Sequence, residues 1–167
     1  MDTKNKILIV AFQLAILSIS SFQLNATGSQ NNTNIGWNNS DFFPNYEKKS
    51  VLINGFKVLL AIASNDELRI KGLSGSQMLN ENEGMLFMFD KPSKQGFWMN
   101  EMKYAIDIIW LDSNSSVVHI EKNLEPCKIF LVCPVYNPQV DSLYVIELSA
   151  GFVDRHSIKN GTIIDLN

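Results

Sequence analysis

Residues 51–63 read VLINGFKVLLAIA, and this stretch decides the fold class. Two apolar runs, Val51–Ile53 and Phe56–Ala63, flank Asn54-Gly55. A two-residue hairpin loop needs positive φ at both central positions, which Asn-Gly tolerates well, so a β-hairpin is predicted. On its C-terminal side, Ser64-Asn65-Asp66-Glu67 has the Ser-x-x-Glu spacing of a capping box. A short helix is expected through Lys71, stopped by Gly72, which takes a left-handed backbone without a Cβ penalty. Ser74–Glu83 reads as a surface loop.

Short strand-like runs follow at Met85–Phe89, Phe97–Met99, Ile106–Leu111, Val117–Glu121, Ile129–Val132, Leu143–Leu148 and Thr162–Leu166. Turn residues separate them: Asp90-Lys91-Pro92, Asp112-Ser113-Asn114, Pro134 to Pro138 and Lys159-Asn160-Gly161. Such punctuated runs, with little helical periodicity, predict a mainly β domain, a compact antiparallel barrel or sandwich with one or two short helices. A helical turn is expected near Phe152–His156.

In the other direction the chain turns greasy. Lys4 and Lys6 precede the apolar run Ile7–Leu17, and Ser18–Ala26 is smaller and more polar. Residues 1–26 therefore read as a signal peptide or as an uncleaved membrane anchor. Residues 27–48 are rich in Asn, Ser, Thr and Gly, and a flexible tether is expected there. Residues 49–167 form the β-rich domain. Acceptor-type Asn-x-Ser/Thr triplets begin at Asn25, Asn31, Asn38, Asn114 and Asn160, consistent with an exterior surface.

The 167 residues are 46% hydrophobic and 19% charged. Removing Lys4, Lys6 and Asp2 with the leader leaves 12 basic and 16 acidic residues, a net charge of −4. No basic stripe emerges, so a nucleic-acid partner is not expected. The two cysteines, Cys127 and Cys133, are expected to form a disulfide in an exported domain. The two histidines, His119 and His156, have no Cys or His at zinc-ligand spacing, and His119, alternating with apolar neighbours, is expected to face solvent. No metal and no cofactor is expected.

An ordered series of short motifs resembles the family called domain of unknown function 192. It comprises Gly72-Leu73, Gly84-Met85-Leu86-Phe87, Phe97-Trp98-Met99, Ile106-Asp107-Ile108-Ile109, Pro126-Cys127, Cys133-Pro134 and Tyr144–Leu148 ahead of Ala150-Gly151. The resemblance runs from Val51 to Leu166. It implies a compact β-rich domain, often behind an export segment, and brings no assigned activity. The chain departs from the family pattern at Ser74, at Ser76-Gln77, at Asn100-Glu101-Met102 and at Gly161-Thr162.

Two carboxylates, Asp107 and Glu147, each sit inside an apolar strand pattern. If both faced one cleft, burial would raise their pKa values and they could serve as an acid–base pair. Glu101, beside Trp98, is a third candidate. Phe97, Trp98 and Met99 form an apolar knot that could make a ligand platform. The first expectation is a non-catalytic, extracytoplasmic module that binds a small ligand, a glycan or a partner protein through Phe97, Trp98, Met99, Asp107 and Glu147. The second is a hydrolase acting on envelope polymers through the carboxylate pair. A purely structural head for a membrane protein is the third.

Overall fold

The structure, a computed structural model, describes residues 43–128 and 132–166. The expected leader with the triplet at Asn25, most of the expected tether with its triplets at Asn31 and Asn38, and residues 129–131 of the expected strand Ile129–Val132 lie outside the described residues. No helix among the described residues is long and apolar enough to cross a membrane.

The hairpin forms as its loop chemistry dictates. Strand β1 (Lys48–Ile53) pairs antiparallel with β2 (Phe56–Ala63) around Asn54 and Gly55, whose φ angles are 46° and 83°. Helix α1 (Asp66–Lys71) follows, and its cap lies one residue later than the capping-box spacing suggests. Asn65 Oδ1 accepts the Leu68 N–H at 2.9 Å, which satisfies an amide the first helical turn leaves unpaired. Gly72 ends the helix at φ 46° and donates its N–H to Leu68 O.

The helix matters because it carries the chain across the sheet. β2 and β3 (Glu83–Ser93) run parallel, with Ala61 opposite Met85, and parallel neighbours need a crossover connection. After the two-residue strand β4 (Phe97–Trp98) come β5 (Ile106–Leu111), β6 (Val117–Leu124), the two-residue β7 (Val135–Tyr136) and β8 (Ser142–Ser149). The main sheet has six strands in the order β1-β2-β3-β8-β5-β6, while β4 and β7 pair separately. Among the described residues the domain is mainly β with two short helices, as expected. The sheet is mixed and open at β1 and β6, so it is neither fully antiparallel nor a closed barrel.

Alternation along the strands sorts the core into two layers. Val58, Leu60, Leu86, Ile109, Leu111, Ile146 and Leu148 meet Phe152, Val153, Ile158 and Ile164 on the first face. Met85, Phe87, Ile108, Trp110 and Val145 meet Leu73, Leu79, Met99 and Tyr104 on the second. Every residue of β5 is buried, because both of its faces are covered. The β4–β7 ribbon rests on the second face: the Phe97 ring meets those of Phe87 and Trp110 edge-on at 4.8 and 5.9 Å. The fold begins before the expected boundary at 49, since Phe43 and Tyr46 already pack on this layer.

Two elements differ from their sequence signals. Thr162–Leu166 is no strand: it makes one isolated bridge, Ser116 to Ile163, and its apolar pattern arises because Ile164 plugs the first-face core. His119 is half-buried against the Trp110 ring at 5.1 Å, with its Nε2 3.1 Å from Glu121 Oε1. The disulfide between Cys127 and Cys133 is present, with Cα atoms 5.4 Å apart.

Gly84 shows how tightly β3 is seated. A Cβ there would lie 2.7 Å from Glu147 O, 2.7 Å from Leu148 Cδ2 and 2.8 Å from Leu60 Cδ2. The carbonyl belongs to the adjoining strand and cannot yield without disturbing the ladder. Gly84→Ala is expected to lower stability by about 1–3 kcal/mol, the usual range for overpacking. A urea midpoint unchanged from wild type would contradict this.

Candidate functional site

The sequence pattern treats Asp107 and Glu147 alike, but the register separates them. Asp107 pairs with Leu148, and Glu147 pairs with Ile108 on one side and Met85 on the other. Directly paired residues share a face. Asp107 therefore joins the first-face layer and Glu147 the second, so the sheet itself stands between the carboxylates. The acid–base pair is not formed.

Asp107 has a structural occupation. Helix α2 (Phe152–Arg155) is capped by Gly151, which has no side chain to receive the first amides. Asp107, 0% exposed, supplies the acceptor from β5. Its Oδ1 takes Gly151 N–H at 3.1 Å and its Oδ2 takes Val153 N–H at 2.9 Å. Oδ1 also accepts Asn123 N–H at 2.8 Å. That amide belongs to a bulge, where the pairing skips from Ile106–Leu124 to Ile108–Glu121.

Glu147 is different. On the second face, Glu83 Oε2 accepts from Asn80 N and Nδ2 at 3.0 and 2.9 Å, and Tyr104 Oη meets Ser76 Oγ at 2.7 Å. Both buried groups have partners. Glu147 is 5% exposed, and its Oε2 has no hydrogen-bond partner among the described residues. Burial pushes its carboxyl up to about 8, because an ionised carboxylate loses its hydration there without a compensating charge. The Tyr104 phenol is also raised, chiefly by burial and further by the negative charges of Glu147 and Glu83, against the opposing hydrogen bond from Ser76.

Glu147 lines a cavity of about 420 Å³. Phe87 and Phe89 of β3, Phe97 and Trp98 of β4, and Arg69 of α1 line the same space. Trp98 is 53% exposed and Ile70, also lining, is 81% exposed, so the lining includes apolar surface open to solvent. Arg69 acts as wall rather than counter-ion. Its Nη1 donates to Ser64 O at 3.0 Å and Met88 O at 2.6 Å, and its Nη2 donates to Asp66 Oδ1 at 2.7 Å. Its guanidinium lies 5.3 Å from the centre of the Phe89 ring.

Of the residues singled out in the sequence, Phe97, Trp98 and Glu147 converge on this cavity. Met99 does not: it is 0% exposed and packs in the second-face core beneath. Asp107 is on the far side of the sheet. Glu101 is exposed in a tight turn at φ 57° and does not line the cavity. Arg69 and Phe89 went unforeseen, although Met85, Phe87 and Phe89 alternate in one strand and so share a face. Among the described residues, no three His, Cys, Asp or Glu side chains gather to hold a metal ion.

Residues 50–166 match the family profile of domain of unknown function 192, described as an uncharacterised ACR. No curated protein matches the chain. The crystal structures that share the fold include two proteins of bacterial source. One is a protein named only conjecturally as a transcription regulator, from Sinorhizobium meliloti, at TM-score 0.65 and 21% identity, covering 72% of this chain and 94% of its own. The other is a protein of unknown function from Novosphingobium aromaticivorans, at TM-score 0.62 and 24% identity, covering 72% of this chain and 84% of its own. At such identities the likeness is one of fold alone.

Proposed function

The chain belongs to the domain of unknown function 192 family, and from its own cavity we propose that it is a non-catalytic, extracytoplasmic module that binds a small ligand. One observation carries this reading. A buried carboxyl, one of whose oxygens has no hydrogen-bond partner among the described residues, lines an aromatic cavity that includes solvent-exposed Trp98. Leaving a buried polar group unpaired costs about 1–3 kcal/mol, and a bound molecule can return that energy as affinity. A small number of polar groups in an apolar cavity of a few hundred Å³ is the usual composition of a ligand site. The extracytoplasmic address is supported by the apolar run Ile7–Leu17, the Asn-, Ser-, Thr- and Gly-rich stretch behind it and the single disulfide.

A library of neutral, anionic and cationic aromatic fragments tests the site by amide chemical-shift mapping. Binders are expected to shift amides in two segments, Arg69–Ser74 and Gln95–Trp98. Trp98→Ala should weaken them roughly five- to tenfold, for the ~1 kcal/mol that a well-placed aromatic contact contributes. Fragments that perturb only other surfaces, or that bind Trp98→Ala unchanged, would overturn the reading.

A further inference from the structure

We propose that the ligand is an organic ammonium ion, its charge set against the Glu147 carboxylate and its apolar body held among Phe87, Phe89, Phe97 and Trp98. This rests on the cavity being a ligand site and adds the chemical class. Charge complementarity selects the cation. Among the described residues, the titratable and charged groups around Glu147 are few, and none of them pairs with it. From β3, Glu83 is held by Asn80; from the covering loop, Tyr104 is bonded to Ser76, and Lys103 Nζ donates to Gly75 O. From α1, Asp66, Arg69 and Lys71 line the cavity; Asp66 and Arg69 pair with each other, and Lys71 Nζ sits 3.9 Å from where a Cβ on Gly75 would stand and does not pair with Glu147. From β5 the neighbours on this face are Ile106, Ile108 and Trp110, and β4 contributes Phe97 and Trp98. Among the described residues, no cation neutralises Glu147. The group that would complete the site is positive.

The walls suit the same charge. Aromatic rings attract cations through their negative faces, and more strongly where water is excluded. Arg69 over the Phe89 ring already uses this attraction at the edge of the cavity. The chain carries a formal net charge of −3, which favours a cationic over an anionic partner.

The same placement fixes the proton balance. In the free protein burial holds the Glu147 carboxyl at about 8, so near pH 7 most molecules are protonated there. Entry of a protonated amine ionises Glu147: the carboxyl proton passes to the buffer, the ammonium keeps its own, and an ion pair forms. Binding must therefore release close to one proton per ligand at pH 7, and affinity must rise with pH until Glu147 is ionised without help.

Phenethylammonium chloride and its neutral isostere phenylacetamide are suitable probes, titrated calorimetrically into the disulfide-intact protein in two buffers of different ionisation enthalpy. Phenethylammonium is expected to bind about fiftyfold more tightly at pH 8 than at pH 6, most of the gain falling below pH 7, with near-stoichiometric proton release at pH 7. Glu147→Gln should abolish both the release and the pH dependence, and weaken binding at pH 8 at least tenfold, while phenylacetamide is little affected. Tighter binding of phenylacetamide than of phenethylammonium at pH 8, or amine binding without proton release, would overturn the ammonium assignment and leave the cavity as a site for neutral molecules. If neither probe binds at millimolar concentration, the ammonium assignment falls together with the reading of the cavity as a ligand site.

Discussion

Replacing Asp107 with alanine is expected to remove about 3–5 kcal/mol of stability, a large share of the 5–15 kcal/mol typical of a domain. The carboxylate accepts three backbone amides from two segments distant in sequence, Asn123 in the β6 bulge and Gly151 and Val153 at the start of α2. Each amide stranded in a dry interior costs about 1–3 kcal/mol, and the three losses are not additive because the helix turn can shift to recover part of them. The helix also places Phe152 and Val153 in the first-face core, so its displacement reaches Leu60, Leu86 and Ile146 through shared packing. Asp107→Asn should fall between alanine and wild type. The amide keeps an oxygen for one or two donors but turns an N–H towards another. Urea unfolding measures both variants. A loss below 1 kcal/mol for Asp107→Ala would show that water, rather than the carboxylate, satisfies those amides. Cavity ligands supply a control, since the sheet separates Asp107 from Glu147 and binding by the folded fraction should be unchanged.

Asp107 also illustrates what one sequence can express. The hairpin at Asn54-Gly55 and the stop at Gly72 were legible because their information is local: two positive φ angles, one helix end. The parallel pairing of β2 with β3 was not, because it depends on how α1 crosses the sheet, and the connection reads only as a short helix followed by a surface loop. Strand β7 escaped notice for a related reason. Two residues, Val135 and Tyr136, carry no periodicity, and the prolines around them signal a turn. Thr162–Leu166 erred the other way, since burial of Ile164 produces the same apolar pattern as a strand would.

The site follows the same division. The residue types were visible: a carboxylate in an apolar strand, a tryptophan beside a phenylalanine. Their grouping was not. Asp107 and Glu147 look equivalent in sequence, and only the pairing of Ile108 with Glu147 reveals that they point opposite ways. Their chemistry then diverges, because one face offers three amide donors to Asp107 and the other leaves Glu147 Oε2 without a partner among the described residues. Arg69 could not be assigned to the wall from sequence, since its anchoring at Met88 O is a tertiary contact.

Glu147→Gln is expected to stabilise the free protein at alkaline pH, and by an amount that grows with pH. The sign follows from linkage. The folded-state carboxyl titrates near 8, whereas the unfolded chain titrates in the ordinary glutamate range near 4.3. Between these values the native state holds a proton that the unfolded state has given up, so stability falls as pH rises through the window. Below it both states are protonated and the burial is that of a neutral acid. Above it the native state must hold a buried carboxylate. The penalty accumulates at ~1.4 kcal/mol for each pH unit between the two titrations and reaches at most about 5 kcal/mol. Glutamine has nearly the same shape and no such titration. The difference in stability between variant and wild type should be small at pH 5, substantial at pH 7 and level off above pH 8. Taking the difference cancels every other ionisable group common to both proteins, Tyr104 included until it titrates above its ordinary range. Denaturant unfolding of the two proteins at pH 5, 7 and 9 measures it. A difference that stays constant across that range would mean that Glu147 is solvated in the native state, and its role as the charge-seeking group of the cavity would then lose its physical basis.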